Sequence, residues 1–330
     1  MRPTSMRLFA AAAVALGASA APAALAAQDI PPYVPANPLL ASRSALYLQP
    51  FIAPHGGWQV RILGDYYNAI EVADAPVAGG GFHSTLFDAE VLQADVWATK
   101  EISSHAFVIA NLPIRGGYNG FLDGFLNWYH RLIGIAVPAR NQQPDNQFQW
   151  RFTLPDTVVS RDAPGTFIGD ARVGGGLRFG RAELIGTVTA PTGNTDGWTR
   201  HTIGTSVTLV ADVVRNDRIT LDAGATGGIT PRNGPPSIAQ FERTAFAGGF
   251  AGLRWRFAGR QAVFGTAWVQ SANWQGTGWD AWDNGEVTTD FGFLLRPSRH
   301  GPELQLGMTQ DLIPRGPAMD VGFTIGLRWH

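Results

Sequence analysis

The most constraining feature of the sequence is a strict alternation of apolar and polar residues near its C-terminal end. Large apolar side chains occupy every second position there: Val321, Phe323, Ile325, Leu327 and Trp329. The residues between them are charged, polar or glycine: Asp320, Gly322, Thr324, Gly326 and Arg328. Because successive side chains of a β-strand point to opposite faces, this period of two predicts a strand with one apolar and one polar face.

The same alternation recurs along most of the chain. Charged residues and glycines occupy the polar face of each segment, and lysine is nearly absent, with only Lys100 present. This pattern is typical of strands that turn one face to lipid and the other to a lumen. We predict twelve spanning strands, near residues 57–69, 85–99, 104–115, 168–180, 181–190, 200–212, 217–230, 242–257, 260–273, 285–296, 302–311 and 319–329.

The predicted connections alternate in length, as expected for a bacterial barrel with both termini in the periplasm. The short ones, predicted to be periplasmic, are 100–103, 180–181, 213–216, 258–259 and 297–301. The longer ones, predicted to be extracellular, are 70–84, 116–167, 191–199, 231–241, 274–284 and 312–318. Counting Ser44–Ile52 and Asn146–Leu154 as further spans gives fourteen strands, but it breaks this alternation. We therefore predict an all-β fold, a transmembrane antiparallel up-and-down β-barrel of twelve strands with one long helical loop insertion. Fourteen strands is the alternative.

The composition excludes several other classes of protein. Only 15% of the 330 residues are charged, 45% are hydrophobic and 40 are glycine. A chain with 11% aromatic residues is not disordered, and a net charge of −1 gives no electrostatic case for a nucleic-acid partner. The absence of cysteine excludes disulfide scaffolds, zinc–thiolate sites and cysteine nucleophiles.

The N-terminal region has the features of a secretory signal peptide. Arg2 and Arg7 precede an apolar stretch that ends in the small-residue motif Ala24-Leu25-Ala26. We predict a signal peptide over 1–26, a periplasmic segment over 27–56 and a barrel over 57–330 with its extracellular insertion at 116–167. The predicted location is the bacterial outer membrane.

The inward faces of the predicted strands carry charges of both signs in similar numbers. The residues predicted to line the lumen are Arg61, Asp65, Asp95, Asp170, Arg172, Arg178, Asp222, Arg254, Arg256, Glu286, Asp290, Arg296, Glu303 and Arg328. They are consistent with a self-neutralising ladder that fixes the strand register. They are also consistent with a narrow pore whose opposed charges set selectivity, which is the interpretation we favour.

The insertion 116–167 contains apolar residues at helical spacing: Phe121, Leu122, Phe125, Trp128, Tyr129, Leu132 and Ile133. We predict an amphipathic helix that lies in the barrel mouth, against the outer leaflet, or on neighbouring loops. Its candidate gate or plug residues are Phe121, Asp123, Phe125, Trp128, Tyr129, His130 and Arg131. The alternation at 148–154 predicts a hairpin arm above the membrane.

Parts of this insertion resemble a known family. The segments 120–125, 128–130 and 141–148, together with 169–174 and 191–193, are similar to a domain-of-unknown-function family of Gram-negative outer-membrane β-barrels. The resemblance covers nearly all of the chain after the signal peptide and implies an outer-membrane barrel, with no activity implied. The C-terminal strand also resembles the targeting strand of outer-membrane proteins, although His330 follows its final aromatic residue. That resemblance implies recognition by the barrel-assembly machinery.

Few residues suggest catalysis. No histidine pair has metal-ligand spacing, and the best local cluster, His83, Ser84 and Asp88, would place adjacent strand residues on opposite faces. We therefore predict no catalytic residues, no metal and no cofactor. The leading functional hypothesis is a narrow or gated channel for small polar or amphipathic solutes. The alternatives are a non-conducting, partner-binding barrel and, third, a lipid-acting enzyme. Outer-membrane lipid and lipopolysaccharide are the expected surroundings.

Overall fold

The computed structural model describes residues 57–76, 81–134, 136–193, 201–234, 236–297, 301–311 and 321–329. The predicted signal peptide, the segment 27–56 and the candidate strand Ser44–Ile52 lie outside these residues. The strands are β1 (Trp58–Pro76), β2 (Phe82–Ser103), β3 (Ala106–Tyr118), β4 (Gln149–Leu154), β5 (Thr157–Arg161), β6 (Gly165–Ile168), β7 (Arg172–Phe179), β8 (Ala182–Thr189), β9 (Gly204–Arg215), β10 (Ile219–Ile229), β11 (Ala245–Ala258), β12 (Gln261–Gln270), β13 (Glu286–Leu295), β14 (Glu303–Asp311) and β15 (Val321–Trp329). The helices are α1 (Asp123–Ile133), a 3₁₀ turn (Pro138–Gln142), α2 (Pro236–Ala239) and α3 (Asp280–Asp283).

Twelve of the strands close into an antiparallel barrel. Consecutive strands pair around the ring, with β3 passing directly to β7, and β15 returns to pair with β1. Each of the twelve overlaps one predicted span, so the predicted fold class and strand number are confirmed. Asn146–Leu154, the second candidate for a fourteen-strand barrel, contributes β4, which pairs outside the ring with Ser84–Asp88 of β2 and with β5.

Most connections alternate in length as predicted, but the predicted long connection 70–84 is wrong, because β1 continues to Pro76 and β2 already begins at Phe82. Short turns join the strands at one end, for example at 104–105 and 180–181, and we call this the short-turn end. Long connections, including 119–148, 230–244 and 271–285, lie at the other end, the long-loop end. Strands β1 and β2 pair over the whole of β1, so this hairpin is longer than the neighbouring strands.

One predicted strand is interrupted. The predicted span 168–180 consists of β6, which pairs with Ile114–Gly117 of β3, and β7, which pairs with Ala106–Asn111. Pro113 lies between the two paired regions, and proline has no backbone N–H to donate to a ladder. Its carbonyl instead accepts a hydrogen bond from the backbone N–H of Gly169 at 2.9 Å. The break therefore follows from a proline inside the partner strand.

The two faces of the wall have opposite polarity. Large apolar side chains are exposed on the outer face of the barrel, among them Ile62, Leu112, Leu177, Val207, Leu253, Trp255, Phe291, Phe293 and Ile325. Charged and hydroxyl side chains are buried on the inner face, for example Asp65, Asp95, Arg172, Thr208 and Asp290. A water-soluble barrel would show the reverse arrangement, so this polarity identifies a barrel whose wall faces lipid.

None of the helices in the described ranges is both long enough and apolar enough to cross a membrane.

Candidate functional site in the barrel lumen

A group of arginines surrounds one carboxylate at the short-turn end of the lumen. The Glu303 carboxylate accepts a hydrogen bond from Nη2 of Arg328 at 2.5 Å. Its Oε2 lies 3.5 Å from Nη2 of Arg296 and 3.8 Å from Nη2 of Arg254. Arg61 also interacts electrostatically with Glu303. These residues, which we call the Glu303 cluster, come from β1, β11, β14 and β15 and from the turn after β13.

A second cluster at the same end has the inverse composition. The guanidinium of Arg178 donates to Glu101 at 2.6 Å through Nη1 and to Glu183 at 3.0 Å through Nε. It also lies over the ring of Phe107, 5.1 Å from the centroid. All three charged side chains are buried. This Arg178 cluster therefore joins β2, β7 and β8 through one cation and two anions.

Further polar contacts occupy the middle of the inner wall. Asp95 accepts hydrogen bonds from Asn111 at 2.9 Å and from Arg115 at 3.1 Å. The hydroxyl of Thr324 donates to Asp65 at 2.6 Å. Because a buried carboxylate is costly without partners, these contacts allow the charges to remain inside the barrel.

Most of the residues that the sequence assigns to the lumen are buried in the structure. Twelve are buried: Arg61, Asp65, Asp95, Asp170, Arg172, Arg178, Asp222, Arg254, Glu286, Asp290, Glu303 and Arg328. Arg256 and Arg296, near the short-turn end, are partly exposed. The structure brings Arg254, Arg296, Glu303 and Arg328 together, whereas Arg172 lies over the ring of Trp97 at 5.8 Å. Glu286 is near the long-loop end, where it accepts from Gln270 at 2.7 Å.

An aromatic stripe accompanies the charges inside the barrel. One buried apolar cluster runs along the inner wall and includes Phe87, Val91, Trp97, Phe107, Phe246, Phe250 and Trp268. The rings of Phe250 and Trp268, on neighbouring strands, are 4.7 Å apart. These aromatic residues are not among those predicted from the sequence to line the lumen. The signal was present, since Phe246 and Phe250 share the parity of the inward Arg254 along β11.

The stripe continues into an aromatic cluster at the long-loop end. The rings of Trp279 and Trp282, in the β12–β13 connection, pack on Phe152 of β4, and the centroids of Phe152 and Trp282 are 4.7 Å apart. Trp274 packs on Trp282. A small recess lies between these side chains and is lined by Phe152, Leu154, Ile238, Phe241, Trp274, Thr277, Trp279 and Trp282. These loop residues were also missed, because loops have no periodicity that would mark them.

His83 belongs to this aromatic cluster at the long-loop end, which we also call the aromatic mouth. Its Nδ1 lies 2.8 Å from the carbonyl oxygen of Thr277, and the indole N–H of Trp279 donates to the His83 carbonyl at 3.1 Å. The ring packs edge-on against Phe241 and Trp279. His83 is buried whereas Ser84 is partly exposed, as expected for neighbours on opposite faces of a strand.

The predicted amphipathic helix packs on the outer face of the barrel. Helix α1 begins after Leu122 and ends before Gly134. The φ of Gly134 is +73°, a left-handed conformation that glycine adopts readily. Leu122 and Leu126 pack on Val321, and the Phe125 ring lies 6.0 Å from Phe323. Since Phe323 shares the parity of the exposed Ile325, these contacts are with the lipid-facing side of β15.

The candidate gate residues divide between the two sides of this helix. Phe121, Phe125, Trp128 and Arg131 are exposed, Tyr129 is partly exposed, and Asp123 and His130 are buried against the barrel. The Phe121 ring stacks on Tyr66, 5.3 Å away. These contacts are with the outer face of the barrel wall, and of the predicted placements the one against the outer leaflet is the nearest to this position. The gating role stays a prediction.

A buried polar network fastens this segment, residues 119–148, which we call the strap. The Asp123 carboxylate accepts hydrogen bonds from Asn68 at 2.9 Å, from Arg140 at 2.6 Å and from the backbone N–H of Asn146 at 2.5 Å. The carbonyl oxygen of the Asn68 side chain accepts a hydrogen bond from Arg140. The Glu90 carboxylate accepts the backbone N–H groups of Phe121, at 2.7 Å, and Leu122. The strap is therefore held against β1 and β2 by hydrogen bonds, and internally by the ion pair between Asp123 and Arg140.

Within the part of the chain that the structure describes, no group of three or more histidine, aspartate or glutamate side chains is placed to hold a metal ion.

Comparisons with known proteins bear on the fold. No protein-family model and no curated protein matches the sequence, so the resemblance to a domain-of-unknown-function family stays a prediction. An outer-membrane channel from Pseudomonas putida F1 has a similar structure, with a TM-score of 0.51, 12% identity, and coverage of 84% of this chain and 99% of that one. A FadL homologue from Pseudomonas aeruginosa aligns at a TM-score of 0.44 and 9% identity over 83% and 90% of the two chains. The toluene transporter TodX of P. putida aligns at 0.40 and 10% over 84% and 89%. At 12% identity, the likeness to the P. putida F1 channel shows the fold alone, which is that of an outer-membrane barrel.

Proposed function

We propose that this chain is a narrow outer-membrane channel for small amphipathic solutes. The observation that supports the proposal is that an apolar aromatic surface and a polar, charged surface lie side by side inside one closed barrel. The buried aromatic stripe extends from the mouth at Trp282 through Phe250 to Phe107, close to the short-turn end. Hydrogen-bonding and charged groups line the neighbouring strands over the same length. An apolar group and a polar group of one solute would each find a complementary surface along this path.

The architecture supports the proposal in two further ways. The lipid-facing polarity of the wall places the lumen across a bilayer. The fold is shared with an outer-membrane channel of Pseudomonas putida F1. We further propose that the short-turn end lies in the periplasm and that the N-terminal signal peptide directs export. We also propose that the barrel-assembly machinery recognises the C-terminal strand.

The test measures flux into liposomes containing the purified full-length protein. Labelled phenylalanine and labelled serine are suitable probes, because they share the same charged groups and differ in their apolar bodies. We expect phenylalanine to enter faster than serine, although it is larger. Absence of flux for both would reject the channel and favour a non-conducting barrel held together by its internal ion pairs.

Matched variants locate the path. Phe250→Ala removes a ring that is buried on the inner face, and Phe293→Ala removes a ring that is 52% exposed on the outer face. We expect Phe250→Ala to lower the phenylalanine-to-serine flux ratio and Phe293→Ala to leave it unchanged. Equal effects of the two variants would contradict a path along the aromatic stripe.

A further inference from the structure

The helix α1 of the strap buries polar side chains against the barrel. Its buried residues are Asp123, Leu126 and His130. At about 100° of rotation per residue, these three lie within about 60° of one another on one side of the helix. That side faces the wall, where Asp123 accepts a hydrogen bond from Asn68 of β1 and Leu126 packs on Val321 of β15. The polar side chains that a helix in water would turn to solvent are therefore turned toward the barrel.

The opposite side of α1 is a row of large apolar side chains. Phe125, Trp128 and Leu132 are 42%, 53% and 67% exposed, and Phe121, just before the helix, is 70% exposed. The three helical residues lie within about 60° of one another and nearly opposite the buried side. We call these four residues the strap ridge. A continuous exposed row of this size is unfavourable in water and indicates that an apolar partner covers it.

The strap ridge is continuous with the lipid-facing surface of the wall. The Phe125 ring lies 6.0 Å from Phe323, whose side chain shares the parity of the exposed Ile325. The Phe121 ring stacks on Tyr66 of β1, which is paired with Phe323 where the first and last strands close the barrel. The lipid that covers the outer face of β1 and β15 therefore also reaches the ridge.

The position of α1 along the wall fits one boundary of the membrane. Trp329 ends β15 at the short-turn end, and α1 packs on Val321 and Phe323 at the other end of this strand. At about 3.3 Å per residue, Val321 and Trp329 are about 26 Å apart along the strand, or about 20 Å in height at a tilt of about 40°. The apolar band of such barrels is about 25 Å tall and has aromatic residues at both edges. Trp329 and the strap ridge thus lie close to the two edges of this band.

We propose that α1 is an interfacial helix whose strap ridge inserts among the acyl chains of the leaflet next to the long-loop end. Amphipathic helices in a membrane plane bury their apolar side about 5–10 Å into the boundary between headgroups and acyl chains. The ridge supplies the aromatic edge of the apolar band over β1 and β15. The hydrogen bonds of Asp123 and Glu90 hold the helix on the wall, so the strap fixes the depth of this sector of the barrel in the lipid.

Nitroxide labels on the full-length protein in phospholipid liposomes test the proposal. The sequence contains no cysteine, so one introduced cysteine carries a single label. The test variants are Trp128→Cys and Leu132→Cys. Phe293→Cys, on the exposed outer face of β13, is the lipid reference, and Asp156→Cys, in the exposed turn between β4 and β5, is the aqueous reference. Power saturation compares the collisions of each label with oxygen, which concentrates in lipid, and with a nickel complex that stays in water.

We expect the labels at positions 128 and 132 to resemble the label at 293, with high oxygen access and a loss of nickel access relative to 156. Nickel access equal to that at 156 would overturn the proposal, because the ridge would then lie in water. Low access to both reagents, with spectral broadening by a second label nearby, would also overturn it and identify a second copy of the chain as the occupant. Heat-modifiable mobility on gels shows whether each variant forms a barrel, and Leu132→Cys decides the question if Trp128→Cys does not fold.

The outcome is separable from that of the channel proposal. A barrel whose labels lie in lipid but which passes neither amino acid keeps the interfacial helix and loses the channel function. A barrel that passes phenylalanine but whose labels lie in water keeps the channel function and loses the interfacial helix.

Discussion

Two buried carboxylates, one on each side of the barrel wall, lie at the centres of very different clusters. On the outer side, Asp123 of the strap meets one guanidinium, that of Arg140, and neutral donors from Asn68 and Asn146. On the inner side, Glu303 meets four guanidinium groups. Both oxygens of the Asp123 carboxylate thus accept hydrogen bonds, and Asp88 interacts electrostatically with Asp123 and Arg140, whereas the charged groups that act most strongly on Glu303 are arginines of the inner wall.

The difference separates two uses of buried charge. A carboxylate that accepts hydrogen bonds from several separate parts of the chain fastens those parts to one another. A carboxylate that is surrounded by arginines from several strands joins those strands, and these charged groups together determine the electrostatic character of the lumen wall. On this basis the strap network is structural, and the Glu303 cluster belongs to the functional lumen.

Arg178→Met should have the largest effect on stability. The substitution leaves Glu101 and Glu183 buried without their shared arginine, and removing one partner of a buried pair costs about 3–5 kcal/mol. We expect a lower midpoint in urea unfolding of the protein in lipid or detergent. Arg181→Met, an exposed arginine in the adjacent turn, is the control and should change stability by no more than about 0.5 kcal/mol. Equal midpoints for the two variants would refute the assigned role of the Arg178 cluster.

Asp123→Ala should release the strap while leaving the barrel intact. Its removal leaves Arg140 buried without its carboxylate, and we expect the docking of the strap to weaken by about 3 kcal/mol. Limited proteolysis should then cut within 119–148 at a much higher rate, with no loss of heat-modifiable mobility. Asp145→Asn is the control, because Asp145 is exposed and accepts only a 3.2 Å hydrogen bond from Asn127 among the contacts described. A strap that stays resistant in Asp123→Ala would show that apolar packing alone holds it.

Arg296→Met should have a smaller effect on stability than either of these. Arg296 lies 3.5 Å from Glu303, but its side chain is 31% exposed, so the pair should contribute at most about 1 kcal/mol. The substitution nevertheless removes one positive charge from the inner wall, and the reversal potential in a salt gradient should shift toward lower anion preference. Arg260→Met, an exposed arginine at the neighbouring turn, is the control. A large loss of stability without a change in reversal potential would place Arg296 with the structural clusters.

The sequence predicts the barrel better than it predicts the surroundings of its mouth. The period of two locates β15 within two residues, since the predicted span 319–329 is observed as Val321–Trp329. The same parity places Glu303 and Arg328 inside the barrel, because alternation determines which face a side chain occupies. It does not determine which inward charges meet, since Arg254 and Glu303 are brought together by strand order and stagger.

The loops carry no such periodic information. Trp279 and Trp282 have no regular spacing, and their contacts with Phe152 exist only because the closed barrel brings two loops together. The amphipathic pattern of α1 predicts a helix, but it does not distinguish the mouth from the outer wall, since an apolar face can pack on either. The contact between Phe125 and Phe323 supplies that information.

Removing the strap should change conductance less than opening the aromatic mouth. If residues 120–145 gate the lumen, as the sequence suggested, their deletion raises single-channel conductance in planar bilayers. The strap contacts the lipid-facing residues Phe323 and Val321, whereas Trp282 is 1% exposed within the aromatic cluster that adjoins the lumen. We therefore expect Trp282→Ala to raise conductance more than the deletion does. The opposite order would give the strap the gating role and would remove the distinction drawn between a structural outer network and a functional lumen.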